Sequence, residues 1–267
     1  MIRSFKIKDV SYYAYDKYKN LDSFEDCLDT DIMFLCLPTQ FCKATGKYDV
    51  SAIEETCCKL DKASYEGIVV IKSTVEPETT VGLSKAFPTL SFVHNPEFLT
   101  AATAFEDFHN QTHIVLGQGP TTSDVKLENL AEFYTSAYPE AVISTCTSSE
   151  SESMKCFVNC FYATKIQFFN ELYLLCEKTS ANYERIRELM LQNGWINPMH
   201  TRVPGSDGKL SYGGLCFPKD TYALLKYMER KETPCAVLKA TITERNSMRG
   251  DNDNIQDATP GDSECGL

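Results

Sequence analysis

The chain has 267 residues, 43% of them hydrophobic and 24% charged, enough for one large or two small domains with a real core. Its formal net charge is −11 and no run of Lys or Arg stands out, which argues against nucleic acid and against an anionic membrane surface as partners. No run of eighteen apolar residues occurs and the opening MIRSFKIKDV lacks the apolar core of a signal peptide, so no membrane span and a cytoplasmic location are expected.

Taken in chain order, MIRSFKIKDV reads as the end of a helix. Five short apolar runs then read as strands: VSYYAYD (10–16), IMFLCLP (32–38), GIVVIKS (67–73), LSFVHN (90–95) and THIVLG (112–117). Between them lie the helical stretches SFEDCLD, DVSAIEETCCKLDKA, PETTVGLSKAF and SDVKLENLAEFYTSA. Apolar runs alternating with helices predict βαβ units and a parallel sheet over 1–146. Such a sheet, if it holds a nucleotide, opens with a strand and a GxGxxG loop. No such loop is present, so the chain is expected to lack about fifteen to twenty residues, one strand and its loop, ahead of Met1. Asp16 then falls at the end of the second strand, where an acid holds a nucleotide's ribose.

The pattern changes near residue 147. TSSESESMKCFVNCFYATKIQFFNELYLLCEKTS runs for over thirty residues without Gly or Pro and predicts one long helix. Phe157, Phe161, Ile166, Phe168, Phe169 and Leu172 leave it few polar faces, so it is either buried or shared with a second chain. Three further helices follow, in NYERIRELMLQN, DTYALLKYMER and PCAVLKATITERNSMR, giving an all-helical half over 147–249. The acid-rich remainder, 250–267, reads as a disordered tail. The twelve cysteines are scattered, with no CxxC pair and, beside four histidines, no zinc spacing. No metal site is expected, and most of these thiols read as small buried hydrophobes.

Two stretches carry the chemistry best. In SYGGLCFPKD, Gly213 and Gly214 allow a tight backbone turn, and Pro218 fits the first turn of a helix. Cys216 then sits at a helix N-terminus beside Lys219, where the dipole and a cation favour the nucleophilic thiolate. Asp220 could cap the helix or position water. The bland alternative is a helix start with a buried thiol. In ESMKCFVN, Lys155 and Asn159 are four apart and share a helix face, where a cation and an amide could stabilise an alkoxide or tetrahedral oxyanion. The alternative is a solvated stripe, which the apolar neighbours disfavour. Ser73 and Thr74 in IKSTVEPETT and Pro38 and Thr39 in CLPTQ stand at strand ends, where ligands gather in parallel sheets, although each alone also reads as a turn. Glu97 in HNPEF reads as a general acid/base or as a helix-start acid.

Together FLCLPTQ, IKSTVEPETT, NPEFLTAATAFEDFHNQTHIVLG, SESMKCFVNCFYATKIQFFNELYLLCE and GSDGKLSYGGLCFPKDTYAL resemble the UDP-glucose/GDP-mannose dehydrogenase family, in order and spacing from about residue 10 to 249. The resemblance implies an α/β fold with an incomplete Rossmann-type parallel sheet, followed by the helical central domain that makes a homodimer through its long helix. It implies oxidation of the C6 alcohol of a UDP-sugar to a carboxylate, with two NAD⁺ taking the two hydrides. Cys216 would be the nucleophile that traps the aldehyde as a thiohemiacetal, then a thioester. Lys155 and Asn159 would stabilise the oxyanions, Asp220 would activate water, Glu97 would serve as acid/base, and Thr74 would lie by the nicotinamide. Phe98, Leu99, Tyr212 and Gly213 map to substrate-lining positions. Asp16, Pro38, Thr39, Ser73 and Lys219 are the further cofactor contacts.

Four departures accompany it. The glycine loop is absent. Ala101 and Ala102 replace the family's usual Glu-Gly. HTRVPGSDGK alters the region that supplies a substrate-binding Arg, leaving His200 and Arg202 as candidates. The C-terminal nucleotide-binding domain, which in the family holds much of the UDP or GDP moiety, is expected to be missing, so the base preference is not legible here; UDP-glucose is favoured over GDP-mannose. The alternative of another class is a non-catalytic remnant that dimerises and binds sugar nucleotide. An aldehyde dehydrogenase with an unrelated cysteine does not call for the Lys155/Asn159 helix.

Overall fold

The computed structural model describes residues 1–251 and 254–257. In chain order they form α1 (Ile2–Ile7), α2 (Phe24–Leu28), β1 (Ile32–Leu35), β2 (Phe41–Cys42), β3 (Lys47–Tyr48), α3 (Ser51–Lys62), β4 (Ile68–Ile71), α4 (Thr79–Ala86), β5 (Ser91–His94), a 3₁₀ turn (Ala101–Thr103), α5 (Ala104–His109), β6 (His113–Gln118), α6 (Asp124–Ala137), β7 (Val142–Thr147), α7 (Ser148–Thr179), α8 (Tyr183–Leu191), α9 (Phe217–Arg230), α10 (Ala236–Met248) and β8 (Ile255–Gln256). The described residues divide into two compact units. One holds Met1–Thr39 with Asp49–Lys155; the other holds Gln40–Tyr48 with the described residues from Cys156 onward.

The first unit is α/β. Its sheet runs in the order β1-β4-β5-β6-β7. Val69 and Ile71 of β4 join Leu35, Ile53, Leu60 and Phe92 on one face, and Ile68 and Val70 join Phe5, Val93, Leu116 and Tyr134 on the other. Burial on both faces is why β4 reads as an unbroken apolar run. Neighbouring strands are parallel except β5 and β6, which meet antiparallel at Val93–Gln118 and His94–Gly117. The sheet is therefore mostly parallel rather than wholly so; an antiparallel join needs no full crossover helix, and α5 has only six residues.

Two strand expectations change. Residues 10–16 are extended, with burial that alternates residue by residue, but they form no strand. Side-chain alternation alone does not make a ladder; a neighbouring strand must pair, and among the described residues none does, the Asp22 amide donating singly to Ala14 O. β7 escaped the sequence reading because VISTCT is polar and only partly covered, as an edge strand is.

The second unit is mainly helical, with one core on Cys156, Cys160, Leu224, Leu225, Leu238 and Ile242 and another on Phe169, Cys176, Tyr183 and Val203. It is not all-helical: β3, β2 and β8 form a small sheet. The division expected at 146/147 falls inside α7, after Lys155, because the first turns of α7 bond to the sheet and to α4: Ser151 bonds His94 of β5, and Glu152 bonds Thr80 of α4. The expected disordered tail is ordered where it is described. Ile255 and Gln256 pair with the open edge of β2, and Asp251 pairs with Arg245 and Arg249, whose guanidiniums are buried. The rest of that expectation, 252–253 and 258–267, lies outside the described residues. Of the cysteines, Cys27, Cys42, Cys57, Cys156, Cys160 and Cys176 are buried and free, and Cys36 and Cys216 are exposed.

Candidate functional site

In the second unit the glycine pair leads into α9 as its sequence dictates. Gly214 has φ +77°, a left-handed conformation that side chains resist. A Cβ on Gly213 would run into the Arg249 guanidinium, so this position needs glycine for close approach. Arg249 donates to the carbonyls of Leu210 (3.3 Å) and Ser211 (3.2 Å) and pairs with Asp207 at 2.8 Å, which ties down the segment before the glycines. Asp207 and Asp251 raise the Arg249 pKa further, so it is a permanent cation. Cys216 is the N-cap residue of α9, exposed, with Pro218 in the first turn.

One turn on, Asp220 is wholly buried. Its Oδ1 accepts from the Tyr48 hydroxyl at 2.5 Å and from Lys219 Nζ at 2.6 Å. Its Oδ2 accepts from Asn159 Nδ2 at 2.6 Å. Lys219 also lies 4.6 Å from the Tyr48 ring centroid. Burial and then the Asp220 charge push the Tyr48 phenol well above its ordinary pKa, so it stays a donor. The structure thus brings Asn159, Lys219 and Asp220 together, and adds Tyr48, which the sequence reading passed over. Tyr212 is buried with its hydroxyl 3.4 Å from Thr221. His200 sits at φ +65°, its ring against Tyr162 (4.8 Å) and Phe217 (5.6 Å), and burial lowers its pKa. Arg202 is exposed.

In the first unit a second group gathers at strand ends. The Ser73 hydroxyl donates to Leu37 O at 2.6 Å and accepts from Leu37 N at 3.0 Å; the Thr39 hydroxyl donates to Thr74 O at 2.7 Å. These bonds stitch the segment after β1, with Pro38, to the segment after β4. Thr74 itself is only 9% exposed. A hydroxyl-bearing residue at the carboxyl end of a parallel strand suits the amide or ribose of a dinucleotide. Asp16 stands apart: its carboxylate is occupied by Lys19 at 2.8 Å and by the Tyr18 amide within its own turn.

Lys155 donates to Glu97 O at 2.5 Å and lies 3.4 Å from Glu97 Oε1. Its ammonium is 5.4 Å from the Phe98 ring, which stacks on His113. Glu97 Oε2 accepts from Leu99 N at 2.6 Å. Lys155 is thus a buried lysine held by a carboxylate and a carbonyl, and the solvated-stripe alternative does not hold.

Two further groups are buried here: Lys72, which carried no sequence signal, and Glu152, which in sequence stands three before Lys155 on the same side of the helix. Lys72 Nζ donates to Asn95 Oδ1 at 2.8 Å, and burial brings its pKa down to about 8 against the opposing pull of Cys36 and Glu97. Glu152 accepts from Glu78 N (2.7 Å), Thr80 N (2.8 Å) and the Thr80 hydroxyl (2.6 Å), and burial pushes it up to about 7. It caps α4, which follows the Ser73–Thr74 segment and offers no cap side chain of its own.

The chain is similar to known proteins in both units. Residues 13–137 match the NAD binding domain of the UDP-glucose/GDP-mannose dehydrogenase family, and residues 149–247 match its central domain. NAD is therefore the cofactor to which the first unit is matched. The chain is 32% identical over 235 residues to the UDP-glucose 6-dehydrogenase of Rhizobium meliloti, covering 82% of this chain and 52% of that protein. It is 32% identical over 254 residues to that of Haloferax volcanii, covering 87% and 56%. A UDP-glucose dehydrogenase from Pyrobaculum islandicum superposes with a TM-score of 0.72 at 28% identity, over 85% of this chain and 52% of that one. The chain spans about half the length of the curated relatives it matches. With both domains in family order over most of its residues, this chain belongs to the UDP-glucose/GDP-mannose dehydrogenase family.

Proposed function

We propose that the chain works as a cytoplasmic nucleotide-sugar 6-dehydrogenase that oxidises UDP-glucose to UDP-glucuronate. The observation that carries this reading is an exposed thiol at a helix N-terminus, Cys216, one turn from a buried carboxylate held by a lysine, an amide and a phenol. The printed names of the relatives supply the choice of UDP-glucose.

In this reading Cys216 attacks the C6 aldehyde. The helix N-terminus favours its thiolate, and covalent capture keeps the aldehyde from escaping. Lys155 and Asn159 stabilise the oxyanions that form at that carbon. Glu97, bonded to Lys155, moves the alcohol proton. Asp220 takes a proton from the water that releases the acid. Thr74 with Pro38, Thr39 and Ser73, and also Asp16 and Lys219, are the proposed cofactor contacts; Phe98, Leu99, His200, Tyr212 and Gly213 are the proposed sugar-nucleotide contacts. Bound NAD⁺ supplies the hydride acceptor for both oxidations.

Incubating the chain with NAD⁺ and a panel of UDP- and GDP-sugars, with product mass recorded, tests this directly. UDP-glucuronate from UDP-glucose is the expected product. A uronate only from GDP-mannose would move the substrate, and sugar-nucleotide binding with no NADH would replace the enzyme by a binding module. Lys155→Ala is expected to lower kcat roughly 10²-fold. An unchanged rate would remove Lys155 from the oxyanion role.

We also propose that the chain forms a homodimer through α7. Phe157, Phe161, Phe168 and Leu175 are all more than half exposed. At 100° per residue, steps of four, seven and seven keep them within about 40° of one another, an apolar stripe about 27 Å long. Phe161→Asp is expected to give a monomer by light scattering while the melting temperature changes little. A dimer of unchanged dissociation constant would remove α7 from the interface.

A further inference from the structure

The reading above gives Asp220 the task of taking a proton from water. A carboxylate has about four acceptor positions, and here three are occupied: two on Oδ1, by Tyr48 and Lys219, and one on Oδ2, by Asn159. The two donors on Oδ1 come from different parts of the chain. Lys219 is the next residue in the chain, and Tyr48 is the end of β3, in a hairpin more than a hundred residues upstream. That hairpin is fastened to α9 independently: Arg230 donates to Gly46 O at 2.7 Å, the Lys226 side chain packs on Gly46, and the Phe41 ring stacks on Tyr222 at 5.7 Å. Tyr48 is 5% exposed, so its hydroxyl has no access to bulk water as a competing partner. A short hydrogen bond to a charged acceptor, delivered by a rigid element, fixes the plane of the carboxylate.

We propose that Tyr48 is a positioning residue: with Lys219 it saturates Oδ1 of Asp220, so that the one open acceptor position of the carboxylate, on Oδ2 beside the Asn159 amide, is the one presented to the hydrolytic water. This inference rests on the assignment of Cys216 and Asp220 in the proposed function. The step it serves is hydrolysis of the Cys216 thioester. Water oxygen bonds to the acyl carbon and one water proton passes to Asp220 Oδ2. The carbon–sulfur bond then breaks, Cys216 leaves as thiolate, and the acid is released. No electrons are transferred, so the step can be observed without NAD.

The test uses the full chain acetylated at Cys216 by p-nitrophenyl acetate. Loss of the acetyl group from the peptide that contains Cys216 is followed by mass spectrometry in wild type, Tyr48→Phe and Asp220→Asn. The expected result is loss slowed about 10²-fold in Asp220→Asn, the worth of a general base. In Tyr48→Phe, which keeps the ring beside Lys219 and removes one oxygen, loss should slow about tenfold or more. Acetylation itself should proceed at the wild-type rate in Tyr48→Phe, a split that a loosened fold would not produce. Wild-type loss from Tyr48→Phe with slow loss from Asp220→Asn overturns the positioning role and leaves the proposed function standing. Wild-type loss from both overturns the positioning role together with the role of Asp220. Should Tyr48→Phe fail to fold, 3-fluorotyrosine placed at 48 alone keeps the ring and makes the hydroxyl a stronger donor. A changed rate of acetyl loss then supports the proposal, and an unchanged one overturns it.

Discussion

Cys216→Ser is expected to abolish formation of UDP-glucuronate, a loss on the order of 10³-fold or more in kcat for removal of a nucleophile. The reason is the chemistry of the trapped carbonyl. A serine hydroxyl at the same N-cap is essentially un-ionised at neutral pH, and the helix N-terminus that favours a thiolate does little for an alkoxide. An ester in place of the thioester would also hold its leaving group more tightly. The measurement is product mass after incubation with NAD⁺ and UDP-glucose. A covalent sugar adduct should be seen on the Cys216 peptide of the parent chain and be absent from the variant. Uronate formed by Cys216→Ser at the parent rate would sink the covalent mechanism outright.

Glu152→Ala should be among the most destabilising single changes in the first unit, about 3 kcal/mol. It leaves the backbone N–H groups of Glu78 and of the buried Thr80, at the start of α4, without their carboxylate. The pH dependence is the sharper signature. Burial raises the folded-state pKa of Glu152 from 4.5 to about 7. Between these values the folded chain holds a proton that the unfolded chain has lost. The group's contribution is therefore complete below pH 4.5 and is lost as pH rises through 7. At about 1.4 kcal/mol per pKa unit the loss is roughly 3 kcal/mol. Calorimetric unfolding of both chains from pH 5 to 8 should show the gap between them widest at pH 5 and narrowing through 7. A gap that stays constant across this range would mean that Glu152 does not titrate there. Because α4 begins five residues after Thr74, the same change should also loosen the proposed nicotinamide contact.

Much was legible in the sequence because the signals were local. The apolar runs of β1, β4, β5 and β6 marked the sheet, since strands covered on both faces have no polar alternation to disguise them. The glycine pair, Cys216 and Pro218 marked a helix start, since each of those residues answers to the backbone at its own position. Lys155 and Asn159 were read from a four-residue spacing on one helix.

Local residue patterns were enough for the class of fold, the family, and the residue types that carry charge and nucleophilicity along each element. The tertiary structure decided which side chains meet across long separations. The partnership of Tyr48 with Asp220 spans 172 positions and that of Glu152 with Thr80 spans 72. No periodicity reports such pairs, because hydrogen bonds between distant segments exist only once chain closure has brought their elements together. The same closure decided that residues 10–16 form no strand while Ile255 and Gln256 do: a strand is made by a neighbouring backbone edge, and only folding determines who the neighbour is.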